Sequence, residues 1–139
     1  MSKSKYDRTV TQEEFLYFKE QVFYWQTMLG LTDYDIRVYF SKLSENVAEC
    51  EIDNELRIAN ITLSSLLYCP PEHTLDKKFF NRVAFHEMGH ILVGQLIWFT
   101  KRKINTISEE HAILHRLETL LLVYKAFETE QEDGKAEGK

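Results

Sequence analysis

The chain alternates between stretches where apolar residues recur every three or four positions and stretches where they recur every second one. Thr11 with Glu14 reads as a capping box, and Phe15, Phe18, Val22, Trp25 and Leu29 follow at helical spacing until Gly30. This predicts a first helix with signals at both ends. Tyr34-Asp-Ile36-Arg-Val38-Tyr-Phe40 then alternates with period two and predicts a strand. Residues 47–52 and 56–63, separated by Asp53-Asn54-Glu55, predict a hairpin around an Asx-type turn, although Ala59-Asn60 interrupts strict alternation and leaves the register open. Residues 1–10 are polar and read as loose, and residues 64–68 fit neither period.

Past Pro70-Pro71 the helical period returns. From about Leu75 to Trp98 it runs through Phe79, Val83, His86, His90, Val93 and Ile97. Residues 100–107 are polar and basic and read as a loop, with Lys101-Arg102-Lys103 taken as a solvated run. Ser108, Glu109 and Glu110 open a last helix carrying Ile113, Leu114, Leu117, Leu120, Leu121 and Tyr124. The order of elements is that of an α+β domain with a small sheet of three to four strands.

Length and charge narrow this further. A chain of 139 residues is one domain's worth, here assigned to residues 1–127, with a charged tail at 128–139 that reads as disordered. The tail holds five acids against two lysines and so supplies −3 of the net −5, leaving the body at −2. A nucleic-acid partner is not expected from that balance. Cys50 and Cys69 form no CxxC pair, which fits a reducing cytoplasm. The amino terminus has no apolar core of a signal peptide. The longest apolar run, residues 91–99, is broken by Gly94 and Gln95 and is too short for a membrane span.

The chemistry is concentrated in His86-Glu87-Met88-Gly89-His90. On a helix the two histidines lie one turn apart on one face and can share a Zn²⁺ ion, while Glu87 beside them can take a proton from a water that the metal activates. Gly89 costs about 1 kcal/mol against alanine in mid-helix, and a purely structural helix has no reason to prefer it. The bland alternative is a hydrogen-bonded histidine pair on a core face.

A catalytic zinc site keeps three protein ligands. The last helix offers Glu109, Glu110, His111, His115 and Glu118. At about 100° per residue, Glu110 lies roughly 20° from the centre of that helix's apolar face, Glu109 roughly 80°, and His111, His115 and Glu118 roughly 100° or more. Glu110 is therefore the expected third ligand, since a carboxylate turned toward the core needs a partner. His111, His115 and Glu118 read as a solvated face.

The motif followed after 19 residues by Glu110 resembles the gluzincin pattern of thermolysin-like peptidases, and the small size resembles the minigluzincins. The wording is closer still to small phage and prophage-encoded metallopeptidases. Shared features are WxxxLGL from Trp25 to Leu31, R-I-A-x-I-x-L from Arg57 to Leu63, AFHExxH from Ala84 to His90, and EEHxxxxRLE from Glu109 to Glu118. The resemblance implies a zincin-like core, with a twisted sheet, an N-terminal helix, an active-site helix and a C-terminal helix carrying the third ligand. It implies a zinc-dependent metallopeptidase acting on a peptide or protein substrate, with His86, His90 and Glu110 as ligands and Glu87 as general base. It also implies a phage or prophage protein in the cytoplasm of a bacterial host. Substrate would add as a strand along a sheet edge, for which residues 57–63 are the candidate. Larger gluzincins stabilise the oxyanion with a His or Tyr from a second domain, for which this chain has no room; Tyr68, His111, His115 and Tyr124 are the substitutes on offer. The competing reading is a non-catalytic, zinc-stabilised phage or host interaction protein, whose site would be closed by a fourth ligand such as Cys69 or His73. A deformylase-like hydrolase using Cys50 or Cys69 lacks the glycine-rich wording that accompanies such a cysteine.

Overall fold

The computed structural model describes residues 5–102 together with His115, Arg116 and Glu118. Within them the order is β1 (Asp7–Thr9), α1 (Gln12–Met28), β2 (Asp35–Ser41), β3 (Ala48–Asp53), β4 (Ile58–Ser64), β5 (Leu66–Tyr68) and α2 (Lys77–Arg102). The fold is α+β, with two helices packed on a three-stranded sheet and a separate two-stranded ribbon.

Both ends of α1 form as its sequence dictates. The Thr11 hydroxyl accepts from the Glu14 N–H at 3.1 Å, and the Glu14 carboxylate accepts from the Thr11 N–H at 2.9 Å. Arg8 donates to the other Glu14 oxygen at 2.7 Å. At the far end the Gly30 N–H reaches the Thr27 carbonyl at 3.1 Å and the Leu31 N–H reaches that of Gln26 at 2.9 Å. This is a Schellman closure, and Gly30 supplies its left-handed residue at φ +69°. Phe15, Phe18, Val22 and Trp25 are buried along one stripe.

The sheet order is β2-β4-β3, with β2 and β4 parallel and β3 and β4 antiparallel. The hairpin turn is of the expected kind: Asp53 Oδ1 accepts from the Leu56 N–H at 2.9 Å, and Arg57 absorbs the reversal at φ 55°. The register is regular after all. Ile36, Ala59 and Ile52 form one inward row, and Val38, Ile61 and Cys50 the next. Ala59 is a small core residue, fully buried, and does not break the alternation.

Three expectations need correction. Residues 7–9 are not loose but pair antiparallel with Leu66–Tyr68, which resolves the segment that fitted neither period. That pair is a separate ribbon, and among the described residues the main sheet has three strands, within the expected three to four. Residues 57–63 are not at an edge: β4 has its N–H and C=O groups engaged by a neighbour on each side, so the edges of this sheet are β2 and β3. Finally, α2 continues through Lys101 and Arg102, where a loop was expected; no glycine or proline follows Gly94 before that point, and Lys and Arg are good helix formers.

The α2 helix starts after Asp76, whose carboxylate accepts from the Phe79 N–H at 2.9 Å. It is tied to α1 by Trp25 Nε1 donating to Asn81 Oδ1 at 2.7 Å and by the Trp25 and Phe85 rings at 4.8 Å. It lies against β3 closely enough that a Cβ at Gly94 would meet Ile52 Cδ1 at 3.4 Å. Phe18, Val22, Leu29, Leu31, Ile61, Leu63, Met88 and Ile91 form the fully buried centre. Among the described residues no helix is long and apolar enough to cross a membrane. His115, Arg116 and Glu118 are helical. The rest of the expected last helix, the domain limit at 127 and the tail at 128–139 lie outside the described residues.

Candidate metal centre

The HEMGH segment occupies the middle of α2, and the helical twist sorts its side chains onto two faces. Ala84, Glu87, Met88 and Ile91 turn inward and are buried. His86 and His90 are exposed on the adjoining face. Their Nε2 atoms stand 3.1 Å apart, with ring planes at 87°. Two nitrogens at about 2.0–2.1 Å from one tetrahedral zinc would stand about 3.3 Å apart, so the pair already has nearly the spacing of one edge of such a site. Their proximity also suits a direct hydrogen bond, with one ring donating to the other.

Glu87 completes the cluster. One donor atom from each of His86, Glu87 and His90 falls within 4.8 Å of the others, and this is the one such grouping of His, Cys, Asp or Glu among the described residues. Glu87 is only 6% exposed. Burial pushes its carboxyl above the usual carboxylate range; His90 and His86 pull the other way, and Glu49 on β3 adds to the rise. A carboxylate held in this way is a better proton acceptor than a solvated one. Neutral imidazole nitrogens and a carboxylate are a donor set that suits zinc.

The strand beside the cluster is β3. Ala48, Cys50 and Ile52 point inward from it, while Glu49, Glu51 and Asp53 point to solvent. The Cys50 thiol is pushed up to about 12 by burial first, then by the charges of Glu87 and Glu51. β3 pairs with β4 alone, and its other edge has no strand partner among the described residues.

The structure brings together His86, Glu87 and His90 as the spacing predicts. It does not bring Cys69 or His73 into the grouping: the Cys69 thiol contacts the His73 carbonyl at 3.5 Å in the loop after β5. His115, Glu118 and Tyr68 are exposed. Glu109, Glu110, His111 and Tyr124 lie outside the described residues. No close neighbour requires glycine at position 89, where an added Cβ would meet nothing within 4 Å.

Sequence reasoning missed the proximity of Glu49 and Cys50 to Glu87. The signal was available in the hairpin, whose alternation puts 48, 50 and 52 on one face; what was lacking was the strand order that sets that face beside the motif. No protein-family model matches the chain, and no curated protein or solved structure matches it.

Proposed function

We propose that the protein is a zinc-dependent metallopeptidase with a zincin-like core. The observation that carries this reading is the pairing of a buried carboxylate, Glu87, with two exposed histidines whose Nε2 atoms are 3.1 Å apart. Burying a carboxyl there is costly for the fold, and its use is chemical. His86 and His90 would hold the ion, with Glu110 as third ligand on the strength of its helical phase and of the gluzincin-like spacing. An ion held by these residues would supply Lewis-acid activation of a water for attack on the peptide carbonyl. Glu87 takes the proton from the attacking water and delivers it to the leaving amine. The outer edge of β3, rather than β4, is where an extended peptide would add as a further strand. The wording shared with phage metallopeptidases supports a phage or prophage protein working in a bacterial cytoplasm.

The test is a comparison of wild type, Glu87→Gln and His86→Ala in zinc analysis and in cleavage of a broad peptide library. Glu87→Gln should keep its zinc and lose about 10²–10⁴-fold in cleavage. His86→Ala should lose zinc and cleavage together. Stoichiometric zinc in His86→Ala would overturn the ligand assignment. Wild type that holds zinc and cleaves no peptide of the library would favour the interaction-protein reading.

A further inference from the structure

A cavity of about 220 Å³ lies between the start of β3, the β5 strand and the first turn of α2. Val47, Leu67, Leu75 and Phe79 line it, Thr74 stands at its rim, and no acid, lysine or arginine borders it among the described residues. An apolar cavity of roughly 150 Å³ is enough for a benzene ring, so this one admits a single large side chain. Packing alone would fill such a recess, because its walls forfeit contacts while it stands empty. Instead Val47 is left 37% exposed beside it.

The helical twist sets this cavity in line with the metal centre. At about 100° per residue, Phe79, Val83, His86 and His90 fall within about 60° of one another on α2. Glu87 and Gly94 lie on the flank of that stripe that meets β3: Cys50 stands in the field of the Glu87 carboxylate, and a Cβ at Gly94 would touch Ile52. Asn81 and Phe85 lie on the opposite flank and meet Trp25 of α1. The histidine stripe therefore borders β3. The meetings also follow one order, with Val47 and Phe79 around the cavity, then Cys50 and Glu87, then Ile52 and Gly94. So β3 and α2 run side by side in the same direction, and the cavity lies at the head of the trough between them.

The separation is that of a few peptide residues. Phe79 precedes His86 by about 10 Å along the helix axis, and Val47 precedes Cys50 by about 10 Å along the strand. A peptide extended beside β3 covers that length in about three residues.

We propose that this cavity is a specificity subsite, which takes one large apolar side chain of the substrate roughly three residues from the bond that is cleaved. The proposal rests on the reading of the protein as a peptidase and names the class of substrate that this reading left open.

The experiment uses the zinc-loaded full chain and a library of capped peptides in which one position at a time is varied. Wild type should cleave peptides with Leu or Phe at one position, roughly three residues from the cut, about 10–100-fold faster in kcat/KM than those with Asp there. Val47→Trp and Thr74→Trp each add a ring at an exposed wall of the cavity, where the core is not disturbed, and each should remove most of that preference. Binding is read apart from cleavage in zinc-loaded Glu87→Gln, where the Leu peptide should shift the amide resonances of Val47, Thr74 and Phe79 and the Asp peptide should not. Cleavage by wild type without the preference, a preference that survives in both tryptophan variants, or a Leu peptide that leaves those amides unmoved overturns the subsite and leaves the peptidase reading standing. Zinc-loaded wild type that cleaves no peptide of the library overturns the peptidase reading and the subsite with it.

Discussion

The two helices α1 and α2 pack on each other and on the same sheet, yet they use their buried positions differently. In α1 the buried residues are Phe15, Phe18, Val22 and Trp25, and the polar side chains at its N-terminal end serve as caps. In α2 the buried set includes Glu87 and Gln95, the Gln95 side-chain carbonyl has no partner among the described residues, and Val93 and Ile97 are left 52% and 50% exposed. Burying a carboxylate while exposing two aliphatic side chains is a poor exchange for stability. Leu16 in α1 is exposed to the same degree, at 53%, so what sets α2 apart is the acid buried at position 87, beside the histidines.

The largest effect that separates the helices should come from truncating each at its defining residue. Phe18 is fully buried, so Phe18→Ala should cost about 3–5 kcal/mol of folding stability. His90 is exposed and its one hydrogen bond among the described residues is to His86 at 3.1 Å, so His90→Ala should cost under about 1 kcal/mol in metal-free protein. Denaturant unfolding in excess chelator measures both. A cost at His90 comparable to that at Phe18 would mean the histidine pair is part of the core's support, and the contrast would fail.

A smaller effect concerns the sign of Glu87. Its folded carboxyl lies above its ordinary value of 4.5, chiefly because burial disfavours the charged form. The folded state then holds that proton more tightly than the unfolded chain does. Stability from this group is present at low pH and is lost as pH rises from 4.5 through the folded value. Glutamine has the same shape and no proton to lose. In chelator, Glu87→Gln should therefore melt higher than wild type at pH 7, and the gap should close toward pH 4. A variant that melts lower at pH 7 would show that the fields of His86 and His90 outweigh the burial.

How much was legible follows the same division. The capping box at Thr11 and Glu14, the stop at Gly30 and the stripe from Phe15 to Leu29 are local signals, and local signals survive into the structure. The short strands at residues 7–9 and 66–68 were not legible, because three residues are too few to show a period and each strand's partner is far away in the chain. At the site, the spacing of His86 and His90 was enough to place the pair. The strand beside it was misassigned, since alternation shows which residues share a face but not which strand lies between two others. Here β4 pairs parallel with β2 and is thereby drawn to the centre.

The smallest effect tests the glycines that belong to the two helices. Neither Gly30 nor Gly89 would bring an added Cβ within 4 Å of a neighbour, so space is equal at both. Backbone conformation is not. Gly30 closes α1 at φ +69°, a region that costs an L-residue roughly 1–2 kcal/mol. Gly89 lies inside α2 with ordinary helical backbone, where alanine is better than glycine by about 0.5–1 kcal/mol. Gly30→Ala should therefore destabilise the metal-free protein and Gly89→Ala should stabilise it by a similar or smaller amount. The opposite sign at 89 is the informative half. A gain on replacing Gly89 would mean that the turn carrying His86, Glu87 and His90 is held below the stability its own backbone allows. A loss there would mean that the turn needs glycine for a reason of packing, and α2 would then be governed by the same considerations as α1.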